Sequence, residues 1–216
     1  MFYKLYIITL CLSFLCSLIG FRLHTPHLKL FSIFLGITVL TEALAELVIH
    51  VLHYDTNYSV YVAFMLIEYM LYAVYFRYLI RNSRIRQIIN AFLLAFPVVW
   101  ASTTFLVFGR AHWNSYMILF GDVFTISLCA AWFHESFISE ELIDFRASPE
   151  FWIAAGTFIY SCCEIPITGI LNYLTDNYIN LAIGLKNVLQ ILNILMYLMI
   201  TYAYLCRRLT NTTKFS

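Results

Sequence analysis

The chain is organised as long apolar runs separated by short polar connections. A helix needs about 20 apolar residues to cross a hydrocarbon core of ~30 Å, and seven runs come close to or exceed that length. They cover residues 3–21, 29–53, 60–80, 88–108, 116–138, 151–171 and 181–205. None alternates with the period of barrel strands, so the pattern predicts helices, which satisfy their backbone groups internally. We therefore expect an all-α polytopic bundle of seven transmembrane helices, forming one transmembrane domain over 1–216.

Composition places the chain among integral membrane proteins, with the lipid bilayer as its main partner. Of its 216 residues, 62% are hydrophobic and 12% are charged, and the mean hydropathy is +0.80. Soluble domains carry roughly 25% charged residues. A formal net charge of +1 with scattered basic residues gives no nucleic-acid signature. The six cysteines form no C-x-x-C pair and are expected to be small core residues.

The basic residues between the runs predict an orientation. One side of the membrane receives only Lys4 and Arg110. The other receives Arg22, Lys29, Arg77, Arg81, Arg84, Arg86, Arg146, Arg207, Arg208 and Lys214. Cytoplasmic loops carry the excess of Lys and Arg, so we expect the N-terminus outside and the C-terminus in the cytoplasm. In the alternative, residues 1–20 are a cleaved secretory signal, which leaves six spans and places the basic loop 81–86 outside, against this bias.

The longest predicted cytoplasmic connection is 136–150. It carries the acidic residues Glu140, Glu141, Asp144 and Glu150. The simpler interpretation is a solvated connector, and the alternative is a docking surface for a cytosolic partner. At its end, Ser148, Pro149 and Glu150 are typical of a helix start, with a capping hydroxyl, Pro in the first turn and an acid near the positive end of the helix dipole.

Ionisable residues inside the runs are the candidate functional residues. An ionised side chain near the bilayer centre costs about 2.5–3.5 kcal/mol, so such groups usually face the protein interior and mark function. Helix 2 carries Glu42, Glu46, His50 and His53 at spacings of four, four and three, which predicts one shared face. The other candidates are Glu68, Asp122, Glu164, Lys186, Asn187, Gln190 and Asn193.

The depth of these residues predicts a common pocket. Counted inward at 1.5 Å per residue, five of them lie about 7–11 Å below the outer ends of their runs. The five are Glu46, Glu68, Asp122, Glu164 and Lys186. We expect an outward-facing binding site with Glu42, Gln190 and Asn193 as its floor and a kink at Pro166 beside it. In the alternative, Lys186 snorkels to the surface and the amides of helix 7 only join helices.

Acids outnumber bases in this layer, so some carboxylates should be protonated or cation-bound. The pattern favours recognition of a proton, a cation, an amine or a polyol from the outer side over recognition of an anion. We expect a non-enzymatic receptor or sensor-like binding protein, and the sequence identifies no cofactor and no metal site.

A small transporter is the second interpretation. At an offset of 120 residues, Phe31, Ile33, Gly36, Asn57 and Tyr58 match Phe151, Ile153, Gly156, Asn177 and Tyr178. Two parallel three-helix halves joined by helix 4 would give this pattern, as in the SWEET sugar and PnuC vitamin transporters.

A metal-dependent intramembrane hydrolase is the third interpretation. Zinc needs three or four ligands, which Glu46, His50 and Glu68 or Asp122 would have to supply. The seven-helix alkaline ceramidase and adiponectin-receptor-like enzymes, however, place an H-x-x-x-H pair on the last helix, and 181–205 contains no His. No pair of His residues facing each other for haem, and no mid-helix Lys for retinal, is apparent either.

Two segments resemble a known group of proteins. They are Tyr54 to Tyr58 followed by Glu68, and the Ser148-Pro149-Glu150-Phe151-Trp152-Ile153 start of helix 6, continued by Gly156, Ile159 and Tyr160. Together they are similar to small seven-helix membrane proteins of Bacteroidetes-type bacteria. That group has no assigned biochemical activity. The resemblance therefore implies a bacterial inner-membrane architecture with a signalling neighbourhood, and it transfers no catalytic residues.

Overall fold

Seven α-helices account for most of the chain. The computed structural model describes residues 2–54, 56–108, 115–138 and 145–213, and every regular element within those ranges is helical. The helices are α1 Phe2–Leu18, α2 Pro26–His50, α3 Tyr58–Leu79, α4 Ser83–Ser102, α5 Ser115–Ile138, α6 Pro149–Asn177 and α7 Ile179–Thr213. Short 3-10 turns lie at Phe21–Leu23 and Phe145–Ala147, and a π-helical segment, Thr103–Phe108, continues α4.

Local sequence signals explain several helix starts. Pro26 opens α2, because its missing N–H is one that the first helical turn would leave unbonded. Asn82 caps α4 through its side chain, which accepts from the N–H of Arg84 at 2.9 Å. Ser148 caps α6 as predicted: its Oγ accepts from the N–H of Phe151 at 3.4 Å and donates to Glu150 at 3.0 Å.

Six of these helices are long and apolar enough to cross a membrane. They are α2 to α7, and α1, with 17 residues, is apolar but shorter. Large apolar side chains also cover their outer faces; Leu94 is 78% exposed and Leu106 is 82% exposed. In a protein of this length such exposure is typical of surfaces that contact lipid. The helices thus indicate a multi-pass membrane protein, while seven spans and their orientation stay predictions.

The helices group into two compact units. The terminal unit combines residues up to Leu23 with those from Asp122 onward, and the central unit extends from His24 to Gly121. In the terminal unit α7 packs against both α1 and α6. Leu10 of α1 and Ile200 of α7 are fully buried, and the rings of Tyr6 and Tyr197 lie 5.9 Å apart.

Aromatic side chains form the core of the central unit. Phe31 and Phe34 of α2 contact Tyr72 of α3, with ring centroids 6.3 Å and 5.1 Å from it. Toward α4, Tyr69 meets Phe96 edge to face at 5.7 Å. Gly121 allows this packing, because a Cβ at that position would overlap the Tyr69 ring.

Several helix boundaries differ from the predicted runs. α4 begins at Ser83, five residues before its apolar run, and α6 continues to Asn177, six residues beyond its run. An apolar run marks only the part of a helix that lies in the hydrocarbon core, whereas the helix itself can continue into the headgroup region. α6 is also helical through Pro166. The acidic residues of loop 136–150 between 139 and 144, together with Arg110 and Lys214, lie outside the described residues.

Candidate intramembrane polar site

The predicted site residues are divided between the two units. Glu42, Glu46, His50 and Glu68 lie in the central unit. Asp122, Glu164, Lys186, Gln190 and Asn193 lie in the terminal unit.

Asp122 is the most deeply buried of the candidates. It lies on α5, and only 1% of it is exposed. Its Oδ1 accepts a hydrogen bond from the hydroxyl of Ser161 on α6 at 3.1 Å. The carboxyl group therefore points into the packing of α5 with α6 and away from lipid, as expected of a polar group within a span.

Hydroxyl groups surround this part of the α5 and α6 faces. Thr125 lies one turn after Asp122, and Thr157 one turn before Ser161; each is 1% exposed. The Thr157 hydroxyl has no hydrogen-bond partner among the residues that the structure describes. A buried polar atom without a partner is uncommon in folded proteins.

A second hydrogen bond sets the register between α6 and α7. The amide of Asn193 donates to the Tyr160 hydroxyl at 3.3 Å and to the Leu189 carbonyl at 3.2 Å. Glu164 lies one turn after Tyr160 on α6, and Gln190 lies one turn before Asn193 on α7. Since these spacings keep to one helix face, Glu164 and Gln190 fall at about the same level on facing helices.

The remaining terminal-unit candidates are less enclosed. Glu164, Gln190 and Asn193 are half-buried, and Lys186 is exposed, two turns before Asn193 on the same face of α7. The Asn193 bond to α6 agrees with the alternative that helix 7 amides join helices. For Lys186, membership of the pocket and snorkelling toward the surface both stay predictions.

In the central unit, Glu42 resembles Asp122 in its environment. It lies on α2 and is 9% exposed, and the hydroxyl of Tyr61 on α3 donates to its Oε2 at 3.1 Å. Both units thus contain a buried carboxylate that accepts a hydrogen bond from a hydroxyl group on a neighbouring helix.

The predicted polar face of α2 extends only as far as His50. Its Nε2 lies 3.0 Å from Glu46, one turn earlier, and both side chains are exposed. α2 ends at His50, and His53 follows in a backbone conformation with φ 55°. The prediction that His53 shares this face was wrong because the helix ends first.

The Glu42 to Tyr61 contact also fixes how α2 and α3 are aligned. Glu46 lies four residues to one side of this contact, and Glu68 lies seven residues along α3 to the other side. At 1.5 Å per residue the two acids differ in depth by on the order of 15 Å. Glu46 and Glu68 therefore do not share one layer, which corrects the prediction for this pair. Glu68 itself is half-buried.

Run lengths alone could not give these contacts. Ser161, Thr157, Tyr160 and Tyr61 were missed, because hydroxyl groups in apolar helices commonly bond back to their own helix, as Thr38 does to Phe34. The four-residue spacing of Thr157 and Ser161, close in sequence to Glu164, was the available signal. Among the described residues, no group of three or more His, Cys, Asp and Glu side chains could hold a metal ion.

Comparison with known proteins gives no relative. No family model, no curated protein and no solved structure matches the chain.

Proposed function

We propose that the chain is a non-enzymatic, receptor or sensor-like membrane protein that binds a cation or a protonated amine at a polar site centred on Asp122. The observation that carries the proposal is the burial of the Asp122 carboxyl group between α5 and α6, with a Ser161 hydroxyl at 3.1 Å. Carboxylate and hydroxyl oxygens are ligands of hard cations and acceptors for ammonium groups.

The side chains near Asp122 support a cation or a protonated amine as the ligand. Thr157 contributes a second buried hydroxyl one turn from Ser161, and it lacks a partner among the described residues. Glu164 and Gln190 add polar groups further outward, between this pair and the end of the span. A ligand arriving from that end would meet Glu164 before Asp122.

Binding at this position offers a way to signal. α5 and α6 meet at Asp122 and Ser161, and their aromatic contacts continue inward, where Phe133 lies 5.9 Å from Phe151 and 6.1 Å from Phe158. A cation would change the charge at this contact, and would favour whichever packing of α5 on α6 binds it more tightly. The change in packing would then move the ends of α5 and α6 that lie beyond the Phe133 contacts.

The transporter alternative gains no support from the grouping of the helices. A repeat of two three-helix halves predicts that α1 belongs with α2 and α3, whereas α1 belongs to the terminal unit and packs against α7. The hydrolase alternative would need a metal-binding group, and none was found among the described residues.

The proposal is tested by cation-dependent stabilisation of the purified protein. The midpoint of thermal unfolding in detergent is measured against Na⁺, K⁺, Ca²⁺ and a primary amine, with choline as the reference ion. A ligand that binds the folded state stabilises it in proportion to the logarithm of its concentration. We expect at least one member of this panel to raise the midpoint of the unmodified chain and to leave Asp122→Asn unchanged.

Glu135→Gln is the matched control, because Glu135 lies on α5 but three helical turns and more from Asp122. It should retain the full response. A response that survives in Asp122→Asn, or no response to any member of the panel, contradicts the proposal.

A further inference from the structure

The turn between α3 and α4 concentrates arginine. Four arginines, Arg77, Arg81, Arg84 and Arg86, lie within ten positions, and all four are exposed. Residues 69–121 contain no Asp or Glu. The segment 77–86, called the arginine turn below, is therefore a strongly positive end of the central unit, without acidic neighbours along the chain.

Hydrogen bonds hold two of these arginines in place. Nε of Arg77, in the last turn of α3, donates to the side-chain oxygen of Asn90 on α4 at 2.6 Å. Nε of Arg86, on α4, donates to the carbonyl of Ile80 at the end of α3 at 2.6 Å. The Asn82 cap completes the turn. Each bond uses the Nε edge of a guanidinium and leaves its Nη groups for another acceptor.

The general excess of Lys and Arg in cytoplasmic loops would explain the charges of the arginine turn, but not the hydrogen bonds that hold Arg77 and Arg86. Cytoplasmic loops collect Lys and Arg whatever their conformation. A guanidinium whose Nε is fixed has lost part of its freedom before it meets a ligand. Its planar donor edge also matches the oxygens of a phosphate group.

Apolar surface begins directly beside the arginine turn. Tyr78 is 55% exposed, Ile88 is 59% exposed, and Leu94, further along α4, is 78% exposed. Exposed tyrosine beside the end of a span is typical of the headgroup level of a bilayer. A molecule with a phosphate for the arginines and acyl chains for the α4 face would match both surfaces.

We propose that the arginine turn binds the headgroup phosphate of an anionic phospholipid, with Arg77 and Arg86 as the positioned donors. Basic clusters at the ends of membrane helices attract anionic lipids in general. The chain adds two fixed guanidinium groups at the border between polar and apolar surface. This inference does not depend on Asp122 or on the function proposed above.

Lipid titration followed by native mass spectrometry tests the proposal with the full chain. The probes are phosphatidylglycerol, which is anionic, and phosphatidylcholine, which carries no net charge. We expect the unmodified chain to prefer phosphatidylglycerol, and Arg77→Gln with Arg86→Gln to weaken that binding by roughly tenfold or more. Arg77→Gln alone should also weaken it, and it leaves the Arg86 bond to Ile80 in place should the double variant fold poorly.

Two further variants separate positioned donors from net charge. Asn90→Ala keeps every charge and removes the acceptor that holds Arg77, so it should weaken phosphatidylglycerol binding as well. Arg146→Gln, an exposed arginine of the terminal unit, should bind as the unmodified chain does. Equal binding of both lipids, or full binding by the Arg77→Gln variants, overturns the proposal. Full displacement of the lipid by soluble glycerol phosphate also overturns it, since a free phosphate would then be the ligand.

Discussion

The Ser161 hydroxyl donates a hydrogen bond to Oδ1 of Asp122 across 3.1 Å. This bond links α6 to α5 within the apolar part of both helices. A carboxyl group at this depth requires polar neighbours, because lipid offers none. Thr125 and Thr157, both buried, extend the polar surface on the same two helices.

Loss of the Ser161 hydroxyl should weaken the fold modestly. Ser161→Ala removes the donor to Asp122, and hydrogen bonds between membrane helices contribute about 0.5–1.5 kcal/mol. The free energy of unfolding, measured by titration of mixed micelles with a denaturing detergent, should fall by this amount. Ser127→Ala is the control, since Ser127 is exposed and its hydroxyl donates to the Val123 carbonyl of its own helix. An equal loss in both variants would show that the Asp122 contact contributes nothing specific.

Thr157 should behave in the opposite way. Its buried hydroxyl lacks a partner among the described residues, so Thr157→Val, which removes a polar atom and keeps the branched shape, should leave the free energy of unfolding unchanged or raise it. The same variant should respond less to the cation or amine that stabilises the unmodified chain. If its response to the ligand is complete, Thr157 does not contribute to the site.

Gly121 should tolerate no side chain. A Cβ there would overlap the ring of Tyr69, whose hydroxyl is already fixed by the Ile118 carbonyl at 3.1 Å. Gly121→Ala is expected to lower the free energy of unfolding by about 1–3 kcal/mol. Gly169→Ala is the matched control, because a Cβ at that helical position meets nothing within 4 Å. It should be neutral or stabilise by up to about 1 kcal/mol. Equal effects would refute the close packing at Gly121.

The Tyr61 hydroxyl should stabilise the pairing of α2 with α3. Tyr61→Phe leaves the buried Glu42 without this donor, and the expected cost is about 0.5–1.5 kcal/mol of unfolding free energy, as for Ser161→Ala. Tyr54→Phe provides the comparison, because Tyr54 is exposed and its loss of a hydroxyl should change stability by less than about 0.5 kcal/mol. A Tyr61→Phe variant as stable as Tyr54→Phe would argue against a structural role for the contact.

Much of the helical architecture could be predicted from the sequence. The apolar runs predicted all seven helices, although α7 continues eight residues beyond its run to Thr213, and Ser148 and Pro149 marked the start of α6 correctly. Boundaries were less accurate where a helix continues past its apolar run, as α6 does to Asn177. The end of α2 at His50 was also missed, since no Gly or Pro follows it directly.

The candidate site was predictable only in part. Burial of Asp122 and Glu42 follows from the cost of placing a carboxyl group in lipid, and the structure encloses both. The alignment of antiparallel helices is set by side-chain contacts such as Glu42 with Tyr61. Depths counted from the ends of the apolar runs were therefore wrong for Glu46 and Glu68. The hydroxyl partners could not be predicted either, because a serine within an apolar helix usually hydrogen-bonds to a carbonyl of its own helix.

The most direct test of the account is site-resolved labelling of Asp122. A hydrophobic carbodiimide, which enters the bilayer and reacts with carboxyl groups, is applied to membranes with and without the cation or amine that stabilises the protein. Peptide mass spectrometry then gives the labelled fraction at Asp122, with Glu135 as the internal reference. The account predicts that Asp122 is labelled in the absence of the ligand and protected at saturating ligand, while labelling of Glu135 does not change. Equal labelling of Asp122 under both conditions would contradict it.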